Sequence, residues 1–169
     1  MPGSSDPYTY PGTDVLRNIL DIRDPQQLAA FEANATAARL IELDAAPLVG
    51  QFDVAHLKAI HRHIFQDVYP WAGEFRTVNI SKGGHLFGAA AFAERTLEEL
   101  LRKLSGECHL KGIAPRAFAT RAGYYMGEIN AIHPFRDGNG RAQREFIREL
   151  GAQAGFVIDW SGVTPRADG

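Results

Sequence analysis

At 169 residues and 45% hydrophobic content, with both charge signs interspersed, the chain suits one globular domain (1–169) with a substantial core. A formal net charge of -2 and a pI near 6.3 give no clustered basic footprint, which argues against nucleic acid as a direct partner. The lone Cys108 excludes an internal disulfide and lies in no C-x-x-C spacing, Met1 to Pro11 lacks a secretory signal, and no segment approaches ~18 consecutive apolar residues, so a cytoplasmic protein with no membrane span is expected.

After a Pro/Gly-rich arm over residues 1–23, Asp24-Pro25 supplies a helix cap and a first helical proline. Apolar or small residues then recur at Leu28, Phe31, Ala35, Ala38 and Ile41, predicting an amphipathic helix to about Leu43. Pro47 and Gly50 interrupt it, and Asp53 caps a second helix with Val54, Leu57, Ile60, Ile64 and Phe65 turned inward. From Phe75 to Ser81 apolar and polar residues alternate, followed by Lys82-Gly83-Gly84 and His85-Leu86-Phe87, which reads as a β-hairpin within residues 74–88. Helical spacing resumes at Phe92, Leu97, Leu100, Leu101 and Leu104, and Pro115 opens a helix through Phe118, Ala122, Tyr125 and Ile129. The expected fold is all-α with one hairpin, a helix–loop–helix core over residues 115–154, and a frayed tail at 161–169.

The chemistry is concentrated between His133 and Arg144. Pro134 disfavours the α conformation at His133, so the imidazole sits at a helix end, where it can face a cleft. Gly138 and Gly140 flank Asn139, a spacing that lets successive N–H groups converge on an anion at a helix N-terminus. Arg141 and Arg144, three apart, lie one above the other and can clamp a polyphosphate. Asp137 is a hard-oxygen ligand for Mg²⁺, with Mn²⁺ as an alternative. His133 has the ordinary pKa, ~6.5, of a general base working near neutrality, and use as a nucleophile is the competing role.

The run His133-Pro134-Phe135-Arg136-Asp137-Gly138-Asn139-Gly140-Arg141, with Arg144 beyond it, resembles the Fic family signature H-P-F-x-[D/E]-G-N-G-R-x-x-R without departure. The resemblance extends to the hairpin, which is similar to the family's flap, and to the helix bearing Glu128, Ile129 and Asn130 that leads into the motif. The stretch from Pro7-Tyr8 to Leu43 is similar to small bacterial Fic toxins and to Fic domains of type IV secreted effectors, so a chain belonging to a longer effector would act inside a host cell.

The resemblance implies a protein adenylyltransferase. His133 would deprotonate a Tyr, Thr or Ser hydroxyl of the target for attack on the α-phosphate of ATP. Asp137 would hold Mg²⁺, Gly138, Asn139 and Gly140 would cradle phosphates, and Arg141 and Arg144 would neutralise them. The acid at Asp137 favours AMP transfer over the target phosphorylation of the Doc branch, which has a basic residue near there. Thr77, Val78, Asn79, Ile80, Ser81 and Lys82 offer a main-chain edge on which a target segment can dock. No Ser or Thr is followed four residues later by Glu, so the inhibitory motif [S/T]-x-x-x-E-[G/N] of many relatives is absent, and a separate antitoxin would supply the glutamate that meets Arg144. The ATPase subunits of DNA gyrase and topoisomerase IV are the targets the resemblance suggests. Its rivals are a Fic enzyme using UTP or CDP-choline, a de-AMPylase, and a non-catalytic nucleotide-binding adaptor.

Other residues read as structural. His61 and His63 fall on different faces of the second helix, so His56, His61 and His63 do not suggest a metal site. Tyr69, Trp71, Phe75, Tyr124, Tyr125 and Phe146 read as core aromatics, Arg136 as a surface or structural salt-bridge residue, and Lys82 and His85 as solvated turn residues, although a hairpin tip lying over the site could use Lys82 on a target or nucleotide.

Overall fold

A computed structural model describes residues 6–162. Helix α1 runs Pro25–Ala45, with Pro25 in its first turn and the Asp24 carboxylate accepting from the Gln27 N–H. Its inward face differs from the one the apolar spacing suggests. Leu28, Thr36 and Leu43 are buried, whereas Ala38 is exposed and Ile41 is 71% exposed. The face toward the rest of the molecule carries the polar Glu32 and Thr36, so hydrophobicity alone selects a stripe turned partly to solvent.

Helix α2, Val54–Phe65, starts at Asp53, whose carboxylate accepts from the His56 N–H at 2.9 Å. It buries Leu57, Ile60, Ile64 and Phe65 together with His56 and His61, and packs against α1 and α5. The hairpin is much shorter than the alternation predicts. Strand β1 is Ser81–Lys82 and strand β2 is His85–Leu86, paired antiparallel with Ser81 opposite Leu86. Gly83 and Gly84 take φ of 57° and 79°, as a two-residue hairpin turn with positive φ at both central positions requires. Beyond this ladder only the Ile80 carbonyl pairs across the hairpin, with the Phe87 N–H, as suits an isolated ribbon that is at best marginally stable in water.

Helix α3, Ala90–Gly106, buries Leu97, Leu100, Leu101 and Leu104, while Phe92, expected to face inward, is 56% exposed. After a turn at Cys108–Leu110, helix α4 spans Pro115–Ile132 and helix α5 spans Asn139–Ala154, closed by Gly155 at φ 89°. Helices α4 and α5 pack on each other. One apolar cluster joins α2, α3, α4 and α5, with Phe65, Tyr69, Leu97, Tyr125, Phe135 and Phe146 among its buried members. Trp71 and Phe75 pack against that cluster partly buried, and Tyr124 is exposed, contrary to its expected place in the core.

The N-terminal arm is tied down from residue 6 onward. Thr9 bridges Leu16, the Ile19 N–H donates to the Val68 carbonyl, and Arg136 meets Asp6 in an ion pair at 2.6 Å. Only Ser161 and Gly162 of the expected frayed tail fall within the described residues.

Candidate active site

His133 ends α4 in the left-handed region, φ 50° and ψ 62°, which for a non-glycine residue persists only where its surroundings fix it. Three contacts fix it. Its N–H donates to the Ile129 carbonyl at 2.9 Å, its carbonyl accepts from Arg76 Nε at 2.8 Å, and its ring lies flat on Phe87, centroids 3.7 Å apart. Nδ1 lies 3.3 Å from the Asn130 carbonyl, an obligate acceptor. Nδ1 therefore carries the hydrogen, and the Nε2 lone pair is left to take a proton. Burial, helped by the positive charges of Arg76 and Lys82, lowers the imidazole pKa to about 4, so the ring is neutral at pH 7.

The loop after His133 is held from inside. The Asn139 carboxamide accepts from the Phe135 N–H at 2.9 Å and donates to the Phe135 carbonyl at 2.8 Å. Its side chain thus closes the loop, and only its backbone is left for a ligand. His61, fully buried in α2, bridges two segments: Nδ1 accepts from the Gly73 N–H, so Nε2–H donates to the Asp137 carbonyl, both at 2.9 Å. Burial lowers its pKa to about 4, and its ring stacks on Phe135 with centroids 3.8 Å apart. The spacing of His61 and His63 speaks only to metal binding, and no sequence signal assigns His61 this bracing role. Among the described residues no cluster of three His, Cys, Asp or Glu side chains could hold a metal.

Gly138 cannot be replaced without strain. Its φ is 76°, and a Cβ there would fall 2.2 Å from Phe65 Cζ. The residue opens α5, whose first helical bond joins the Ala142 N–H to the Gly138 carbonyl. The N–H groups of Asn139, Gly140 and Arg141 precede that bond, and no side chain caps the helix among the described residues. They form an open donor set at the positive end of the helix. Asp137 lies beside it, one carboxylate oxygen accepting from the Gly138 N–H at 2.7 Å and the other left for a further ligand. A single carboxylate next to a phosphate-type cradle fits a hard divalent cation that takes its other ligands from phosphate and water.

The two arginines are not equivalent, as a simple clamp would have them. Arg141 is engaged by α1, through Glu32 at 2.5 Å and Thr36 at 3.3 Å. Arg144 lies against Gly140, and among the described residues no carboxylate comes within ion-pair distance of it. Desolvation and the charge of Arg141 lower its pKa, yet a guanidinium stays protonated near neutrality. It is an uncompensated cation one turn into α5.

Arg76, absent from the sequence-derived site, is the buried hub. Its backbone N–H donates to the Pro134 carbonyl, and its guanidinium to the carbonyls of His133, Ile132, Val78 and Gly88. It joins the flap root to the loop bearing His133. Within the flap, Thr77 donates its N–H to the Tyr8 hydroxyl, the Asn79 side chain accepts from the Ala90 N–H, and the Ile80 carbonyl accepts from the Phe87 N–H. The N–H groups of Val78, Asn79 and Ile80 have no intramolecular partner among the described residues. Ser81, Lys82 and His85 are exposed.

The Fic/DOC family profile matches residues 51–150. The chain is 45% identical over 161 residues to a protein adenylyltransferase, VbhT, of Bartonella schoenbuchensis, covering 95% of this chain and 34% of that protein. It is 42% identical to a probable protein adenylyltransferase, Fic, of Escherichia coli, covering 96% of this chain and 80% of that one. It therefore spans about a third of the first relative and most of the second. Among solved structures, the BepC effector of Bartonella tribocorum with bound AMPPNP superposes with a TM-score of 0.88 at 30% identity, over 93% of this chain and 82% of that one. A Fic domain from Bartonella quintana with bound ADP gives 0.88 at 31% identity, over 93% of this chain and 80% of that one. A motif matched without departure, a family profile over more than half of the chain and relatives aligned along nearly all of it agree: this chain belongs to the Fic/DOC family.

Proposed function

We propose that the chain transfers AMP from ATP to a Tyr, Thr or Ser hydroxyl of a target protein. The observation that carries this reading is His133, its Nδ1 turned to the Asn130 carbonyl so that its Nε2 is left for a proton, at the head of the loop that leads to the open N–H cradle of α5. Nε2 takes the hydroxyl proton, the oxygen forms a bond to the α-phosphorus, and the bond from that phosphorus to the bridging oxygen breaks, releasing pyrophosphate. The cradle and Arg144 hold the negative charge of the phosphates. Asp137 would hold Mg²⁺, which supplies charge neutralisation at the phosphate oxygens. AMPPNP bound to BepC and ADP bound to the Bartonella quintana relative support adenine nucleotide as the ligand class.

The unpaired main-chain donors of Val78, Asn79 and Ile80 suit an extended target segment adding as a strand, which would carry its hydroxyl toward His133. The uncompensated Arg144 suits an inhibitory glutamate from a separate antitoxin, making this chain the toxin of a pair. Activity that appears only after part of this chain itself is removed would overturn that pairing. Purified ATPase subunits of gyrase and topoisomerase IV are the first targets to assay. None of the helices among the described residues is long and apolar enough to cross a membrane.

The test is incubation with α-labelled and, separately, γ-labelled ATP and Mg²⁺ in bacterial lysate, beside His133→Ala. Label from the α position only, lost in the variant, is expected. Label from the γ position would make the protein a kinase, and no label from either would overturn ATP as the donor.

A further inference from the structure

The inward face of α1 carries polar groups where an amphipathic helix would carry apolar ones, and they converge on Arg141. Arg141 Nη2 donates to Glu32 Oε1 at 2.5 Å, and Nη1 to Thr36 Oγ1 at 3.3 Å. The Thr36 hydroxyl hydrogen is committed to the Glu32 carbonyl at 2.8 Å, so its oxygen faces Arg141 as an acceptor. The second Glu32 oxygen accepts from the Tyr69 hydroxyl. Burial and then Glu32 itself push that phenol far above its ordinary pKa, so it remains a donor. The guanidinium carbon lies 4.6 Å from the centre of the Phe65 ring, the ring that also occupies the space beside Gly138. Tyr69 in turn stacks on Trp71 with centroids 4.4 Å apart.

Arg141 is thus held on three sides, by Glu32, by Thr36 and by the Phe65 ring, and the groups that hold it are themselves held. A surface ion pair needs none of this; a cation that must present its remaining N–H groups at one angle does. We infer that Glu32 is a positioning residue of the transfer reaction, fixing the guanidinium of Arg141 at the head of α5 and leaving Arg144 as the arginine that supplies uncompensated charge. The inference rests on the AMP-transfer reading and divides labour between the two motif arginines. Arg141, its charge already matched, serves orientation and so turnover, whereas Arg144 serves nucleotide affinity.

The experiment compares the wild type with Glu32→Ala and Glu32→Gln, each also in an Arg141→Gln background. It measures kcat and KM for ATP in α-label transfer, AMPPNP binding, and the thermal midpoint. Glu32→Ala is expected to lower kcat by about tenfold to a hundredfold, as a ~1 Å displacement of a catalytic group does, with KM for ATP changed less than about threefold. Glu32→Gln keeps an acceptor for Arg141 and a polar partner for Tyr69, and recovers most of that loss. In the Arg141→Gln background the Glu32 substitution costs less than about twofold more, as for two residues acting through one contact.

Unchanged kcat in Glu32→Ala, or an undiminished loss in the Arg141→Gln background, would overturn the inference. So would faster turnover or tighter AMPPNP binding in Glu32→Gln, the signature of a brake. If Glu32→Ala does not fold, Tyr69→Phe removes the donor to one Glu32 oxygen and Thr36→Val the second acceptor of Arg141; the double variant loosens the same guanidinium, and a fall in kcat at constant KM is the expected result, unchanged kcat the contrary one. A wild type that transfers no label defeats the AMP-transfer reading itself; a wild type and Glu32→Ala that transfer equally defeat only the role of Glu32.

Discussion

The motif loop and the flap face the same site but are held in opposite ways. From His133 to Asn139 the loop is braced by buried groups: Asn139 on both backbone atoms of Phe135, His61 on the Asp137 carbonyl, Ile129 and Arg76 on His133. The flap has a two-residue ladder whose residues are all exposed, and it is moored at its root by Arg76, by the Gly88 N–H on the Ala131 carbonyl, and by Asn79. On the proposed reading the loop holds a base and a phosphate cradle, which need fixed geometry. An edge that accepts a segment of another protein through main-chain donors tolerates adjustment, and low local packing is what permits it.

Arg76 is where the two regions meet, so its loss should break the contrast most severely. Arg76→Ala strands four carbonyls that now accept from one guanidinium, and Ala cannot replace any of those bonds. We expect a loss of about 3–5 kcal/mol, since each buried carbonyl left without a donor costs ~1–3 kcal/mol and solvent can reach some of the four, and a thermal midpoint lower by roughly 6–20 °C. Transfer activity should fall with it even at temperatures where the variant is folded, because His133 loses the donor to its carbonyl. Calorimetry with label transfer at low temperature checks both. A variant within 1 °C of the wild type would show that the flap root is held independently.

The contrast also marks how far the sequence could be read. The motif loop was legible because its requirements are local: a proline after His133, glycines about Asn139, arginines one turn apart. The helices followed from Asp24, Asp53 and Pro115 and from apolar spacing. Arg76, Glu32, Thr36, Tyr69 and His61 were not legible in the same way, because each acts on a residue far away in the chain. A buried polar residue looks, in sequence, like a solvated one. Glu32 and Thr36 occupy the face of α1 that periodicity reserves for apolar groups, so apolar spacing points to a different face from the one that packs. The hairpin is shorter than its pattern for the converse reason: residues 75–80 alternate like a strand, but apart from the Ile80 carbonyl on Phe87 their hydrogen bonds go to the motif loop, an arginine side chain, an N-terminal tyrosine and a helix start.

Acid sharpens the comparison with a smaller effect. His133 and His61, both in or against the motif loop, have pKa values lowered to about 4, against ~6.5 in an unfolded chain. Between those values the unfolded state binds more protons, so stability is fully present above pH ~6.5, falls as the pH drops toward 4, and levels off below it for these two groups. If His133 is the general base, the acid limb of kcat/KM should likewise lie near pH 4, because Nε2 accepts a proton only when the ring is neutral. Urea midpoints and transfer rates across pH 4–8 test the two statements. An acid limb at the ordinary histidine value would show that His133 is more solvated in the working enzyme than the stack on Phe87 and its burial imply.

The smallest expected effect isolates the flap from the loop. Asn79 accepts from the Ala90 N–H at 2.9 Å, the contact by which the flap's own chain ties to the start of α3. Asn79→Ala should cost about 1 kcal/mol, as loss of a side-chain cap does, lowering the thermal midpoint by roughly 2–4 °C. It leaves Arg76 and the ring of His133 untouched. If the flap serves target docking and the loop serves chemistry, KM for the protein target should rise while AMPPNP affinity stays at the wild-type value. A matching loss of AMPPNP affinity would mean that the flap root and the phosphate cradle move as one body, and that the division drawn between the two regions lies elsewhere, at Arg76 and not along the flap.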